Sequence, residues 1–153
     1  MNVKYINPLL EATMTVLSTM AMVEVTAGKP TVKKGSKPLG DVTGMIDLSG
    51  KHAQGSLAIS FTAPAILDIT EKMIGESLSS IDSTVVDVVG EITNMITGSA
   101  KRIYSDQGLE FELTLPSMLV GNDKPLNHTV KGEPVVLPFN TPAGEFFVEM
   151  CFS

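Results

Sequence analysis

Between Asp82 and Asp106 the sequence contains no proline, and it returns an apolar residue to the same side of a 3.6-residue wheel throughout: Val85, Val88, Val89, Ile92, Ile96, Ala100 and Ile103. Asp82 or Ser83 supplies a capping side chain at the start, and Gly108 lies just past the end. The pattern predicts a long amphipathic helix with one face on a core. Its interior reads VVGEITNMITGSAK, and three features there work against helix stability. Asn94 has a side-chain amide that competes for backbone hydrogen bonds, and Gly90 and Gly98 each cost about 1 kcal/mol relative to alanine. A second stripe, Thr84, Asp87, Glu91, Asn94, Gly98 and Lys101, puts Glu91 and Asn94 one turn apart on a single face. Small residues beside that face let another backbone approach closely.

The rest of the chain places this helix in an α+β fold. Asn7 and Pro8 read as a helix start, and apolar spacing from Leu9 onward extends that helix to about Val25, with Gly28 as its stop. Residues 30–39 form a weak strand. Thr43–Leu48 and Ser56–Phe61 alternate around the loop SGKHAQG and predict a hairpin. Thr62-Ala-Pro opens a second helix that ends at Gly75. After the long helix, Leu109–Leu115 alternates as a strand until Pro116, and Ser117–Val120 forms another. Gly121–Lys124 is a turn. Val130–Phe139 and Glu145–Phe152 close the chain as a hairpin around Asn140–Gly144. Strands arrive in consecutive groups, so the sheet is expected to be mostly antiparallel, with long helices packed on it. LLEATMTVLSTM (9–20) aligns weakly with VGEITNMITGSA (89–100). This sets Glu11 against Glu91 and Thr13 against Thr93, but Met14 against Asn94. The alignment raises the expectation of a pseudo-two-fold internal repeat within a single domain spanning 1–153.

Composition narrows the function. A net charge of −6 disfavours nucleic acid and basic membrane-surface binding. The one dense basic run, Lys29–Lys37, reads as a solvated edge whose lysines discourage sheet-to-sheet aggregation. Cys151 is the single cysteine, so no intrachain disulfide can form and a reducing, cytoplasmic setting is expected. Pro8 and Glu11 interrupt any signal-peptide layout, and no apolar run reaches the roughly 18 residues of a membrane span. His52 and His128 fall in separate loops, no zinc-ligand spacing is present, and neither a P-loop nor a nucleophile-elbow motif occurs. No metal or cofactor of its own is expected. That leaves Glu91 and Asn94. Taken alone, a Glu-x-x-Asn tetrad is weak: the carboxylate could be a solvated surface group and the amide could bond an internal carbonyl.

The wider segments add weight. NPLLEATMTVLSTM, GMIDLSGKHAQGSLAISFTAPAIL, VVDVVGEITNMITGSAK and the closing FFVEMCF together resemble the CheC/CheX/FliY family of chemotaxis phosphatases, and its CheX branch most. The resemblance covers nearly the whole chain. It implies a CheC-like fold and action on the aspartyl phosphate of a CheY-type response regulator, with Glu91 and Asn94 as the catalytic pair. It also implies that Mg²⁺ resides in the partner receiver, and that two copies form a homodimer through their sheets. Asp87, Gly90 and Gly98 are the expected partner-facing positions. Two-site members carry the motif twice, whereas here Met14 replaces the first asparagine, so one site per chain is implied. The alternative is a non-catalytic CheC-like module of the chemotaxis or flagellar switch apparatus.

Overall fold

The computed structural model describes residues 2–153. The first helix, α1 (Val3–Met20), starts a full turn before the expected Asn7–Pro8 position. Asn2 is its cap and accepts from the Lys4 amide at 3.1 Å. Pro8 sits inside the helix, close enough to its solvated start that the missing N–H leaves only a first-turn carbonyl without its partner. The helix also stops at Met20, short of Val25. Ala21, Val23 and Val25 are buried while Met22 and Glu24 are exposed, so the apolar spacing there has period two and belongs to extended chain. Met22 takes a left-handed φ of 52° at this exit.

A short β1 (Thr26–Ala27) follows, and of the weak strand expected over 30–39 only β2 (Thr31–Val32) forms. The first hairpin is β3 (Val42–Gly50) with β4 (Gln54–Phe61), in register from Val42↔Phe61 to Ser49↔Gln54. Helix α2 (Ala63–Ile74) follows and ends at Gly75, whose φ of 75° supplies the left-handed cap. Its start is capped from a distance: the Asp41 carboxylate accepts from the Ala63 amide at 2.7 Å, because the Thr62 hydroxyl donates to the Glu145 carbonyl instead. Helix α3 (Ser83–Asp106) has the predicted bounds and Asp82 as its cap. The strand expected over Leu109–Leu115 shrinks to β5 (Phe111–Leu113), which pairs only with the end of β3; β6 (Ser117–Val120) pairs with the start of β3. The closing hairpin is β7 (Val135–Asn140) with β8 (Glu145–Phe152).

Every pairing is antiparallel. The order is β1-β7-β8-β4-β3-β5, with β2 also on β7 and β6 also on β3. The two hairpins therefore meet along β4 and β8. One side of the sheet, carrying Val42, Ile46, Leu57, Ile59, Leu137, Val148 and Met150, packs into the core with the helices. Helices α1 and α3 lie side by side and run antiparallel, for the Tyr104 hydroxyl near the end of α3 donates to the Tyr5 carbonyl near the start of α1. Residues aligned between 9–13 and 89–93 share their burial. Thr13 and Thr93 each donate to the carbonyl four residues earlier, at 2.7 and 2.8 Å.

The other side of the sheet is buried and polar. Residues 33–41 and 121–134 cross it, and this explains why β7 begins at Val135 instead of Val130. Lys33 is not solvated with its neighbours: its ammonium is 2.8 Å from Glu149 Oε1, with both side chains 2% exposed. His128 joins the other Glu149 oxygen at 2.5 Å and the Ser56 hydroxyl at 2.8 Å. A bare carboxylate in that position would be costly, and two cationic or polar partners satisfy it.

Candidate functional site

Asp87, Glu91, Asn94 and Gly98 are all exposed on α3, while Val88, Val89, Ile92, Thr93, Ile96 and Thr97 on its other side are buried. The stripe read from the sequence is therefore a free surface. Among the described residues, neither the Glu91 carboxylate nor the Asn94 amide is engaged by another side chain. The one side-chain contact to Asn94 reaches its backbone carbonyl, from Thr97 at 3.3 Å. An asparagine that bonded an internal carbonyl would be turned inward, and this one is not. The arrangement presents one carboxylate and one amide, both unspent, on a rigid helix. Such a pair can accept from a cation and hold a water by its hydrogen bonds.

Internal packing accounts for neither flanking glycine. A Cβ at Gly90 would meet only the Met118 sulfur, at 3.7 Å, and a Cβ at Gly98 would meet nothing within 4 Å. Both are ordinary helix positions where alanine would be more stable; the space beside Gly98 is open to the outside, and that beside Gly90 borders Met118. Gly44 is different. A Cβ there would come within 2.2 Å of the Thr93 hydroxyl, so its absence is what lets β3 and α3 meet at that point.

The buried set of Lys33, Ser56, His128 and Glu149 was not legible as a group in the sequence. Its one signal is Glu149, a charge among the apolar residues of FFVEMCF. Cys151 lies on the same side of the sheet, where burial and then the nearby Glu149 carboxylate push its thiol up from the ordinary range. Burial likewise raises the Tyr104 phenol, which stays a hydrogen-bond donor. No group of three or more His, Cys, Asp and Glu side chains among the described residues is placed to hold a metal ion. No helix among them is long and apolar enough to cross a membrane.

The family model described as "Chemotaxis phosphatase CheX" matches residues 42–140, a span that holds the whole of α3. The chain belongs to the CheX family. Solved structures extend the likeness over α1 and β8. A CheC-like superfamily protein from Shewanella sp. PV-4 is 43% identical with a TM-score of 0.91, over 100% of this chain and 99% of that one. The chemotaxis protein CheX from Vibrio vulnificus is 38% identical with a TM-score of 0.90, over 97% of this chain and 99% of that one. A CheX solved as a CheX–CheY–BeF3–Mg²⁺ complex from Borrelia burgdorferi is 27% identical with a TM-score of 0.81, over 97% of both chains. No curated protein matches the chain. The CheX family accounts for the α+β architecture, and its model describes a chemotaxis phosphatase.

Proposed function

We propose that Asn94 and Glu91 carry the hydrolysis of a phosphorylated CheY-type receiver. The observation behind this reading is that both side chains stand free on one face of α3. An aspartyl phosphate breaks by in-line attack of water on phosphorus. The P–O bond to the aspartate opens, the carboxylate departs, and inorganic phosphate is released. The transition state is loose, so the protein's task is to position a water and balance charge. Asn94 donates to and accepts from that water without needing basicity. Glu91, one turn away, pairs with the receiver's active-site lysine and sets the depth to which the helix inserts. Magnesium belongs to the receiver in this scheme, and none of the steps assigned to this chain passes through it. Asp87 extends the acidic surface toward the same lysine-bearing site.

Gly90 and Gly98 leave room for the receiver's loops. Gly98→Ala is expected to stabilise the isolated chain by about 0.5–1 kcal/mol, because alanine is the better helix former and its methyl meets nothing. The same change should raise KM for the phosphorylated receiver severalfold. A melting curve and steady-state kinetics read the two effects separately, and an unchanged KM would remove Gly98 from the interface.

We further take residues 1–153 as one phosphatase domain, acting in the cytoplasm where its receiver would be. We also propose that two copies pair through their sheets. Support for the pairing comes from the β5–β6 edge, where Leu115 is 89% and Val120 55% exposed.

The decisive experiment measures phosphate release from a panel of phosphorylated receivers. Wild-type protein should shorten the phosphate lifetime of at least one. Glu91→Ala should raise KM more than it lowers kcat. Tight binding with no change in phosphate lifetime would instead identify a scaffold.

A further inference from the structure

Both backbone hydrogen-bond partners of Asn94 within the helix are glycines. An α-helical N–H bonds the carbonyl four residues earlier, so Asn94 donates to Gly90 and accepts from Gly98. These are the two most conformationally free residues of α3, and on their own they would let the turn flex. The side of that turn facing the sheet is buried, and its two threonines bond back onto the helix. Thr93 is fully buried and donates to the Val89 carbonyl at 2.8 Å. Thr97, also fully buried, donates to the Thr93 carbonyl at 2.7 Å and reaches the Asn94 carbonyl at 3.3 Å. Beneath Thr93 lies Gly44, where any Cβ would stand 2.2 Å from the threonine hydroxyl and 3.2 Å from its Cβ. Helix α1 supplies an internal comparison. Thr13 repeats the bond of Thr93, but the position matching Thr97 is Leu17, a buried side chain with no hydroxyl, and the position matching Asn94 is Met14. The second hydroxyl occurs only under the turn that carries the amide.

We infer that Gly44, Thr93 and Thr97 are positioning residues for the hydrolysis, holding the Asn94 backbone at one height above β3. This inference rests on the reading of Asn94 as the group that orients water. A water-orienting amide is sensitive to placement: a displacement of about 1 Å costs on the order of 10²-fold in rate. Loosening the seat lowers kcat and leaves KM in place, because the receiver still binds the same exposed face.

The test is Thr97→Val, which keeps the side-chain shape and removes the hydroxyl, with Thr97→Ser as the conservative partner and Gly44→Ala as the change from the strand side. In Thr97→Val, kcat should fall about tenfold with KM within about twofold, and serine should restore it. Gly44→Ala, if it folds, should lower kcat at least as far. Amide exchange in Thr97→Val should quicken about tenfold over residues 93–98 and not elsewhere. Wild-type kcat in Thr97→Val would overturn the inference, and so would a loss that serine does not repair. If the wild-type chain dephosphorylates no receiver, the functional reading fails instead, and the exchange pattern alone decides on the seat. Local quickening supports it; unchanged or global exchange overturns it.

Discussion

Asn94→Ala should return the phosphorylated receiver to its own decay rate, a loss on the order of 10²-fold or more in kcat, while the protein remains folded. The magnitude follows from what the amide supplies. Orientation of a reacting water is an entropic and geometric contribution, and a methyl group cannot reproduce it. The fold should not suffer, because Asn94 is exposed and its side chain holds nothing internal. Alanine is also the better helix former by roughly 0.5 kcal/mol, so the melting temperature should stay level or rise. Receiver binding should survive, since the carboxylate of Glu91 is untouched. Decay of the phosphoprotein, a melting curve and a binding isotherm on the same preparation separate these three quantities. Accelerated decay that persists in the variant would end the water-orienting assignment.

The largest effect on stability is expected on the opposite side of the sheet. Glu149→Ala leaves the Lys33 ammonium buried without its counter-charge, and strips His128 of its carboxylate partner. Removing one member of a buried ion pair costs about 3–5 kcal/mol. At about 2–4 °C per kcal/mol for a chain of this size, the melting temperature should drop by roughly 10 °C. Replacing both charges with methionine, Lys33→Met with Glu149→Met, should cost clearly less than the single change, because no uncompensated charge remains. Calorimetry on the two variants checks the order. A Glu149→Ala protein as stable as wild type would mean that residues 33–41 and 121–134 are held over the sheet by other contacts.

The sequence carried the parts of this molecule that depend on local periodicity. Helix α3, both hairpins and the exposed Glu91/Asn94 stripe follow from spacing alone. Assigning that stripe to a phosphoprotein needed the resemblance of whole segments to a family. Two of the misreadings share one cause. The spacing of Ala21, Val23 and Val25 continues a helical apolar run when read forward, yet it also has the period of extended chain, and only tertiary packing chooses between the two. Lys33 sits in a run of lysines and looks like its neighbours. Its partner Glu149 is remote in sequence, and no local pattern announces a pairing across so many residues. Gly44 was visible as a glycine in a strand, but what it makes room for lies on another element.

The position of β8 bears on how the chain becomes a protein. It is a central strand, lying between β7 and β4, and it joins β4 with Gly55 facing Phe152, 97 positions later. Until β8 is available, β4 has β3 on one side and an open edge on the other, with Leu57, Ile59 and Phe61 incompletely covered. Loop entropy grows only slowly with length, but pairing at such separation is slow. A chain emerging from the ribosome can lay α3 on β3 well before the seam closes. Helix α3 would then be seated early, while the open flank of β4 remains the surface most exposed to wrong partners during synthesis.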